Sequence, residues 1–214
     1  MKKLPVILLA LLACAFAASA ADDVPAVPET DAAPAFVPPK DLAPMFTRGS
    51  VRQFQAGRPI ESEKLDVLLH AAMTGPSGLN KQPWAFLVID DPETIARLGI
   101  ALSSPEHRHP LANGASLAIV VCGDMQKAAG PGSDCWISDC SAAAYGILLA
   151  AQAQGLGAVW TAMHPSAERV AALKSVIPLP DHIVPLCLIP VGYPVDTVVP
   201  KQKFNPGNIH RNAW

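Results

Sequence analysis

The stretch WISDCSAAAYGILLAAQAQG, residues 136–155, is long, apolar on nearly every side and ends in Gly155. A helix that is apolar all round is buried, and a glycine just past the last apolar residue is a common helix end. Its many alanines bury little area each, so the helix must pack closely against a large flat surface or against a second copy. A tightly packed core helix and a homodimer interface both satisfy this pattern, and periodicity does not separate them.

Strands and helices alternate around this helix, which favours a sheet covered by helices. The predicted strands are WAFLVID at 84–90, ASLAIVVCGD at 115–124, AVWTA at 158–162 and IVPLCLIPVGYP at 183–194. The predicted helices are PIESEKLDVLLHAAM at 59–73, a segment opened by Asp91 as cap and Pro92, and PSAERVAALKSVI at 165–177, which we expect to start at Pro165.

The N-terminus has the features of a signal peptide. Lys2 and Lys3 precede an uncharged run from Leu4 to Ala17, and Ala18-Ser19-Ala20 supplies small residues for cleavage, so we assign residues 1–20 to export. The run is shorter than the ~20 apolar residues of a membrane span. The alternative is a lipoprotein site at Leu11–Cys14, and we expect a membrane association only if Cys14 is lipidated. We predict that the protein is exported in soluble form and is located in the periplasm.

Residues 21–44 are rich in Pro and Ala and lack apolar periodicity, which predicts an extended, disordered linker. Residues 45–214 are enough for one domain with its own core. The net charge of −2 and the lack of a basic stripe argue against nucleic acid as a partner. A small molecule is the expected partner.

Five motifs then resemble one known family. They are RGSVRQF at 48–54, GPSGLNKQPWAF at 75–86, the stretch 136–160, IPVGYP at 189–194 and the terminal NIHRNAW at 208–214. In this order and spacing they resemble the nitroreductase family of FMN-dependent enzymes, in its compact branch. The resemblance implies an α+β, three-layer fold with a central mixed, mostly antiparallel sheet covered by helices, assembled as a homodimer.

The resemblance also implies where FMN would bind. Arg48, Gly49, Ser50 and Arg52 match the phosphate-binding motif, and alternation along an extended segment would turn Arg48, Ser50 and Arg52 to one side. Without the other motifs, a solvated arginine pair would be the simpler interpretation. Lys203 is expected to supply one more cation, although a solvated lysine in the tail is nearly as compatible with the sequence.

Two further segments match the cofactor's other parts. Pro76, Ser77, Gly78 and Asn80 match the loop along the ribityl chain and the flavin edge, where glycine lets the main chain approach closely; a plain helix-to-strand turn would use similar residues. Thr161 and Ala162 match the stretch whose N–H groups lie near the ring nitrogens. Ala162 stands where relatives often have Gly, which leaves the backbone path there open.

The implied activity is hydride transfer from NADH or NADPH through FMN to nitroaromatic, quinone or similar acceptors, with no catalytic side chain. The alternative is an exported flavin-binding or flavin-trafficking protein without nicotinamide-driven turnover. The loops 103–114 and 124–135 are expected to set the substrate. We predict no metal site, a solvent-facing pair His107 and His109, and a satisfied core carboxylate at Asp139. We also predict free thiols, with disulfides as the alternative, at Cys122, Cys135, Cys140 and Cys187.

Overall fold

A single five-stranded sheet forms the centre of the fold. The computed structural model describes residues 37–214. The strands are β1 (Trp84–Ile89), β2 (Leu117–Asp124), β3 (Gly157–Ala158), β4 (Thr161–Ala162) and β5 (Ile183–Gly192). Their order is β1-β2-β5-β3, with β4 also paired to β5, and all pairings among the described residues are antiparallel.

Helices cover both faces of the sheet. They are α1 (Ala43–Thr47), α2 (Ser62–Ala72), α3 (Pro92–Ala101), α4 (Met125–Ala128), α5 (Trp136–Ala153) and α6 (Ala167–Val176). One apolar cluster joins α2 and α5 to one face, and a second cluster joins α3 and α6 to the other. The predicted α+β arrangement of a mostly antiparallel sheet between helices is therefore confirmed.

The sequence of the central strand β2 is apolar without interruption because helices cover both of its faces. Leu117, Ile119 and Val121 pack with α2 and α5, whereas the alternate residues Ala118, Val120 and Cys122 belong to the cluster with α3 and α6. Successive side chains of a strand point to opposite faces, so a strand covered on both sides needs apolar residues at every position.

Several predicted elements differ from the structure in their bounds; the helix predicted at 59–73, for example, covers only Ser62–Ala72. α6 starts at Ala167, because the Ser166 hydroxyl caps it by accepting the Arg169 N–H at 3.2 Å. The run AVWTA is two short strands rather than one. Ala158 pairs with Val191 and Thr161 with Leu188, and between these partners lies Pro190, which has no N–H for a continuous ladder.

The long helix α5 is buried against α2 at a glycine. A Cβ added at Gly146 would lie 2.6 Å from the Ala71 carbonyl oxygen, so only glycine lets the two backbones come this close. The core-helix interpretation is thus correct for this face of α5. Other positions of the same helix, Ile137 and Tyr145, are exposed in the single chain.

Replacing Gly146 with Ala should destabilise the protein. The added methyl group gains about 1 kcal/mol of helix propensity but overpacks the contact with Ala71, which costs about 1–3 kcal/mol or more. We expect a net loss in the free energy of unfolding, measured by urea denaturation. Ala96→Gly, at an exposed position in the interior of α3, should lose only the propensity of about 1 kcal/mol. A Gly146→Ala protein as stable as the parent would show that the helices separate without cost.

The cysteines at 122, 135, 140 and 187 are free in the structure, as predicted. Burial raises the pKa of Cys122 and of Cys140 to about 12 and also raises the pKa of Cys187. The Cys140 thiol donates to the Cys122 carbonyl oxygen at 3.5 Å. These three thiols are therefore core side chains that stay protonated.

The predicted signal peptide, Cys14 and the linker up to residue 36 lie outside the described residues. Within the described part, a 3-10 turn covers Lys40–Leu42 and α1 begins at Ala43, slightly ahead of the predicted domain start at Met45. None of the helices in residues 37–214 combines the length and the hydropathy that a membrane span needs.

Candidate functional site

The segment of residues 48–54, called here the basic segment, runs between the sheet and the chain that follows β5. The Val51 N–H donates to the Ala158 carbonyl at 3.1 Å, which ties the segment to β3. At its far end Phe54 forms a β-bridge with Pro194 and donates its N–H to the Asn113 carbonyl at 2.9 Å. The basic segment is therefore extended and held from both sides.

Alternate residues of the basic segment face the protein. Gly49 is in close contact with the side chain of Val198, and Val51 lies so near Gly157 that an added Cβ there would meet it at 2.7 Å. Arg48, Ser50 and Arg52 occupy the other positions of the alternation, where Arg48 is half-buried and Ser50 and Arg52 are exposed. Arg48 lies near Tyr145 on α5, and Arg52 lines a cleft together with Arg169. The display of the three side chains on one side therefore stays a prediction.

Both arginines keep donors available. The Arg48 guanidinium lies 5.9 Å from the centre of the Tyr145 ring on α5, and Arg52 donates to the Ser50 carbonyl at 3.3 Å. The ion pairs in residues 37–214, Lys64–Glu61 and Lys127–Asp124, involve neither of them. An anionic ligand would thus meet two guanidinium groups without a competing carboxylate.

Arg52 and the strand β4 line the same cleft, although they are far apart in the chain. The cleft has a volume of about 220 Å³, and its wall includes Thr161 and Ala162. Its other polar lining residues are His107, His109 and Arg169. Because no Asp or Glu lines it, the cleft suits a ligand rich in hydrogen-bond acceptors.

β4 is fixed by side chains on both of its edges. The Thr161 hydroxyl donates to the Leu188 carbonyl at 2.6 Å, and Arg169 donates to the Ala162 carbonyl at 3.1 Å. The Thr161 hydroxyl is therefore engaged with the sheet rather than free for a ligand. Arg169 was not among the predicted site residues; its position in the first turn of a helix that follows β4 is the only signal the sequence offers.

The corner of residues 75–82 has an unusual backbone. Leu79, Asn80 and Gln82 have φ values of 55°, 55° and 48°, a left-handed region that residues other than glycine rarely occupy. The Asn80 N–H donates to the Ser77 carbonyl at 3.0 Å, and the Ser77 hydroxyl accepts the Gln82 N–H at 3.0 Å. Pro76 is exposed. Such a conformation persists only where the surroundings hold it in place.

Two anchors hold the corner. The Gly78 N–H donates to the Asp139 carboxylate at 3.0 Å, and Asp139 is only 6% exposed in the first turn of α5. The prediction of a satisfied core carboxylate is confirmed. Lys81 donates to the carbonyls of Ala128, Ala129 and Pro131 at 3.0, 2.9 and 2.5 Å, which ties the corner to the loop after α4.

The corner and the basic segment meet different parts of α5. The corner contacts Asp139 and the basic segment contacts Tyr145, six residues further along. At 1.5 Å per residue the two levels are about 9 Å apart along the helix axis, on different faces. The corner is not part of the lining of the 220 Å³ cleft. Lys203 lies in the exposed C-terminal segment and does not line that cleft either.

The prediction of a solvent-facing histidine pair is wrong for His109. His107 is exposed, but His109 is 6% exposed and caps the 3-10 turn Pro110–Asn113. Its Nδ1 accepts the Leu111 N–H at 3.3 Å, while its Nε2 is buried without a hydrogen-bond partner among the described residues. Burial, followed by the positive charges of His107 and Arg169, lowers the pKa of His109 to about 4.

This histidine should make the protein less stable in acid. The folded protein keeps His109 neutral down to about pH 4, whereas an unfolded chain binds the proton below the ordinary pKa of 6.5. Stability is therefore lost as the pH falls from about 6.5 to about 4, by about 2 kcal/mol between pH 7.5 and pH 5. Urea denaturation at both pH values should show this loss reduced in His109→Asn. An unchanged difference between the two pH values would contradict it.

With fold and cleft defined, the class of protein follows from comparison with known proteins. The Nitroreductase family model matches residues 45–193, well over half of the chain. The chain belongs to the nitroreductase family.

Individual relatives agree with this assignment. A protein of Methanothermobacter thermautotrophicus, provisionally named NADH dehydrogenase/NAD(P)H nitroreductase, is 38% identical over 176 residues, which cover 81% of this chain and 87% of the relative. A crystal structure from Parabacteroides distasonis with the same provisional name is 41% identical, with a TM-score of 0.74, and covers 83% of this chain and 100% of its own. An FMN-dependent nitroreductase of Clostridium difficile is 27% identical, with a TM-score of 0.71, and the match covers 81% of this chain and 99% of that structure's chain.

Proposed function

We propose that this protein is an FMN-dependent oxidoreductase that takes reducing equivalents from NADH or NADPH and passes them to nitroaromatic, quinone or similar acceptors. Bound FMN would supply the hydride chemistry, and the side chains would supply binding and orientation. The observation that carries the proposal is the cleft in which Arg52 faces Thr161 and Ala162. Two separate segments that match the family's cofactor contacts thus come together in space.

The basic segment fits the phosphate end of FMN. A phosphate monoester carries close to two negative charges at neutral pH, and two guanidinium groups beside a hydroxyl match its charge and its acceptors. We expect Arg48, Ser50 and Arg52 to be displayed on one side of this segment, and the two arginines form no ion pair within residues 37–214. Gly49 supports this display because it allows Val198 to pack directly behind the segment.

The cofactor site would be completed by a second subunit. The cleft of about 220 Å³ is smaller than the roughly 300–1,000 Å³ of typical ligand sites, so one chain offers only part of a pocket for FMN. We propose a homodimer in which two α5 helices lie antiparallel. Such pairing would bring the corner of one protomer, at the level of Asp139, over the other protomer's basic segment, at the level of Tyr145.

Exposed apolar side chains support this assembly. Leu79 of the corner is 75% exposed, and Met45 on α1 and Ile137 and Tyr145 on α5 are also exposed in the single chain. The C-terminal segment adds Phe204, Ile209 and Trp214. Apolar groups concentrated around one helix are typical of a surface that another chain covers.

The electron donor and the acceptors are proposed on different grounds. The provisional names of the relatives from Methanothermobacter and Parabacteroides point to NADH or NADPH as donor. The acceptor class rests on the family alone, because specificity is expected to depend on the loops 103–114 and 124–135, and loops generally vary more in sequence than the elements that they connect.

The visible spectrum of the purified domain tests the proposal. The mature protein should carry a flavin band near the wavelengths of free FMN, or gain it with added FMN, and anaerobic NADH or NADPH should bleach the band. Acceptors such as a nitroaromatic or a quinone should then restore it. A band that persists with both donors would instead indicate a flavin-binding protein without turnover. A protein that binds no FMN would refute the proposal.

We also propose that the protein is exported. The support is the pattern of Lys2 and Lys3, the apolar run and Ala18-Ser19-Ala20. Fractionation of cells that express the full chain should find the processed protein outside the cytoplasm, and Cys14→Ser should leave its distribution unchanged if no lipid is attached. An unprocessed protein in the cytoplasm would contradict export.

A further inference from the structure

We propose that His109 is a cofactor-binding residue, whose Nε2–H donates a hydrogen bond to the carbonyl-bearing pyrimidine edge of a flavin ring held in the cleft. This inference rests on the proposed function and adds a residue that the sequence motifs do not include. It follows from the tautomer of the ring, its burial, the lining of the cleft and the chemistry of the flavin edge.

The hydrogen bonds of the ring fix its tautomer. The Nδ1 atom accepts the Leu111 N–H at 3.3 Å, so it carries a lone pair and no proton. A neutral imidazole has one N–H, which must then be on Nε2. The backbone N–H of His109 donates to the Ser103 hydroxyl at 2.9 Å, which fixes the main chain that carries the ring. The fixed side of the ring is thus the acceptor side.

The donor side of the ring lacks a partner. Nε2 is the only buried side-chain nitrogen or oxygen within residues 37–214 that has no hydrogen-bond partner. Burying a donor without an acceptor is costly, and buried polar groups that stay unpaired in a stable fold call for an explanation. A ligand that presents an acceptor to this atom would provide one.

The cleft indicates which part of FMN would reach His109. Thr161 and Ala162, which match the family stretch beside the flavin ring, line the cleft together with His109. Of the three residues that match the phosphate contacts, Arg52 lines the cleft, whereas Arg48 and Ser50 do not. Most of the phosphate-binding motif thus lies outside the cleft, and we assign the cleft to the ring.

The chemistry of the lining matches one edge of that ring. Apart from Arg52, which the proposed function assigns to the phosphate, the donors in the lining include Arg169 and the His109 Nε2–H, and one Arg169 donor is already used by the Ala162 carbonyl at 3.1 Å. The pyrimidine end of the isoalloxazine presents two carbonyl oxygens and a ring nitrogen acceptor, whereas its benzenoid end presents methyl groups. Donors on the protein therefore select the pyrimidine edge. Because His109 stays neutral at ordinary pH, it adds a donor there without adding a charge.

Two substitutions separate the two nitrogens of the ring. Asn places an acceptor near the position of Nδ1 and leaves nothing at Nε2, whereas Gln places an N–H near Nε2 and loses the cap. We expect His109→Asn to raise the dissociation constant of FMN by about 10-fold, in line with the loss of one buried hydrogen bond, and to make the flavin midpoint potential more negative. We expect His109→Gln to bind FMN within about 2-fold of the parent.

His70→Asn is the matched control, because His70 is exposed on α2 and does not line the cleft. It should leave FMN affinity and midpoint potential unchanged. Affinities are measured by quenching of flavin fluorescence with the apoprotein, potentials by spectroelectrochemistry, and folding of each variant by circular dichroism. A His109→Asn protein that binds FMN with the affinity and potential of the parent would overturn the inference.

A measurement on the unmodified protein keeps the inference testable if the variants fail to fold. In nitrogen-15 NMR spectra the Nε2–H signal of His109 should be present in the apoprotein and move downfield when FMN is added. An Nε2–H signal that does not change in a protein saturated with FMN would refute the role of His109 alone. A parent protein that binds no FMN would refute the proposed function as well, so the two failures are distinguishable.

Discussion

Replacing Arg48 with Gln will raise the dissociation constant of FMN by about 10- to 100-fold, because one charge-assisted hydrogen bond to the phosphate is lost. Arg48 is half-buried, and its guanidinium group lies 5.9 Å from the centre of the Tyr145 ring. A water molecule therefore replaces this guanidinium group poorly. The double variant Arg48→Gln/Arg52→Gln should lose most of the cofactor at micromolar protein concentration. Both effects are measured by titrating apoprotein with FMN and following the quenching of flavin fluorescence.

The control for lost positive charge is Arg97→Gln. Arg97 is exposed on α3, away from the cleft lining, and its loss should leave FMN affinity unchanged. Riboflavin, which lacks the phosphate, provides a second control, because its affinity should hardly depend on Arg48. Equal losses of riboflavin and FMN binding would show that the substitution damages the fold and not a phosphate contact.

Deleting residues 201–214 is expected to turn the proposed dimer into monomers and to release FMN. Every residue of this segment is exposed in the single chain, with Phe204 at 81% and Trp214 at 101%, and the ring of Trp214 stacks on His210 at 4.3 Å. Apolar side chains that are exposed in the single chain are expected to pack against a partner subunit. Light scattering coupled to gel filtration measures the mass, and the visible spectrum measures the retained flavin.

A shorter deletion helps to locate the effect. Removing residues 212–214 takes away the Trp214 ring but keeps Lys203 and Phe204, so it separates the apolar contact from the loss of a cation. A protein without residues 201–214 that stays dimeric and keeps its flavin would contradict the role of this segment. If it stays dimeric but loses FMN, the segment acts on the cofactor alone, through Lys203 or its neighbours.

The layers of the fold were predictable because they depend on local patterns. The runs that became β2, β5 and α5 are apolar at successive positions, and Asp91 with Pro92 marks the start of α3, where the Asp91 carboxylate accepts the Thr94 N–H at 2.8 Å. The division of AVWTA into β3 and β4 was not predictable in the same way. It depends on the position of Pro190 in the partner strand, which only the register of pairing reveals.

The candidate site was predictable in its motifs but not in its contacts. The alternation of the basic segment was predictable from extended backbone, and at the alternate positions Gly49 lies against Val198 and Val51 against Gly157. His109 lies in the polar run EHRHP, whose composition suggests an exposed loop. Its burial depends on tertiary packing, because His109 caps the 3-10 turn Pro110–Asn113 and that turn packs against α3. The role of Arg169 was not predictable for the same reason, because its contact with Ala162 depends on where α6 packs.

The hydrogen bonds of the Lys81 ammonium group limit where the loop 124–135 can change in length. All three of its N–H bonds are taken, by carbonyl oxygens of Ala128, Ala129 and Pro131. A lengthened or shortened 124–135 loop would have to return the same three oxygens to the same places, or the left-handed turn at Leu79 and Asn80 would lose one of its moorings. Length variation in this region is therefore compatible with the corner only after Pro131, between that residue and the first turn of α5.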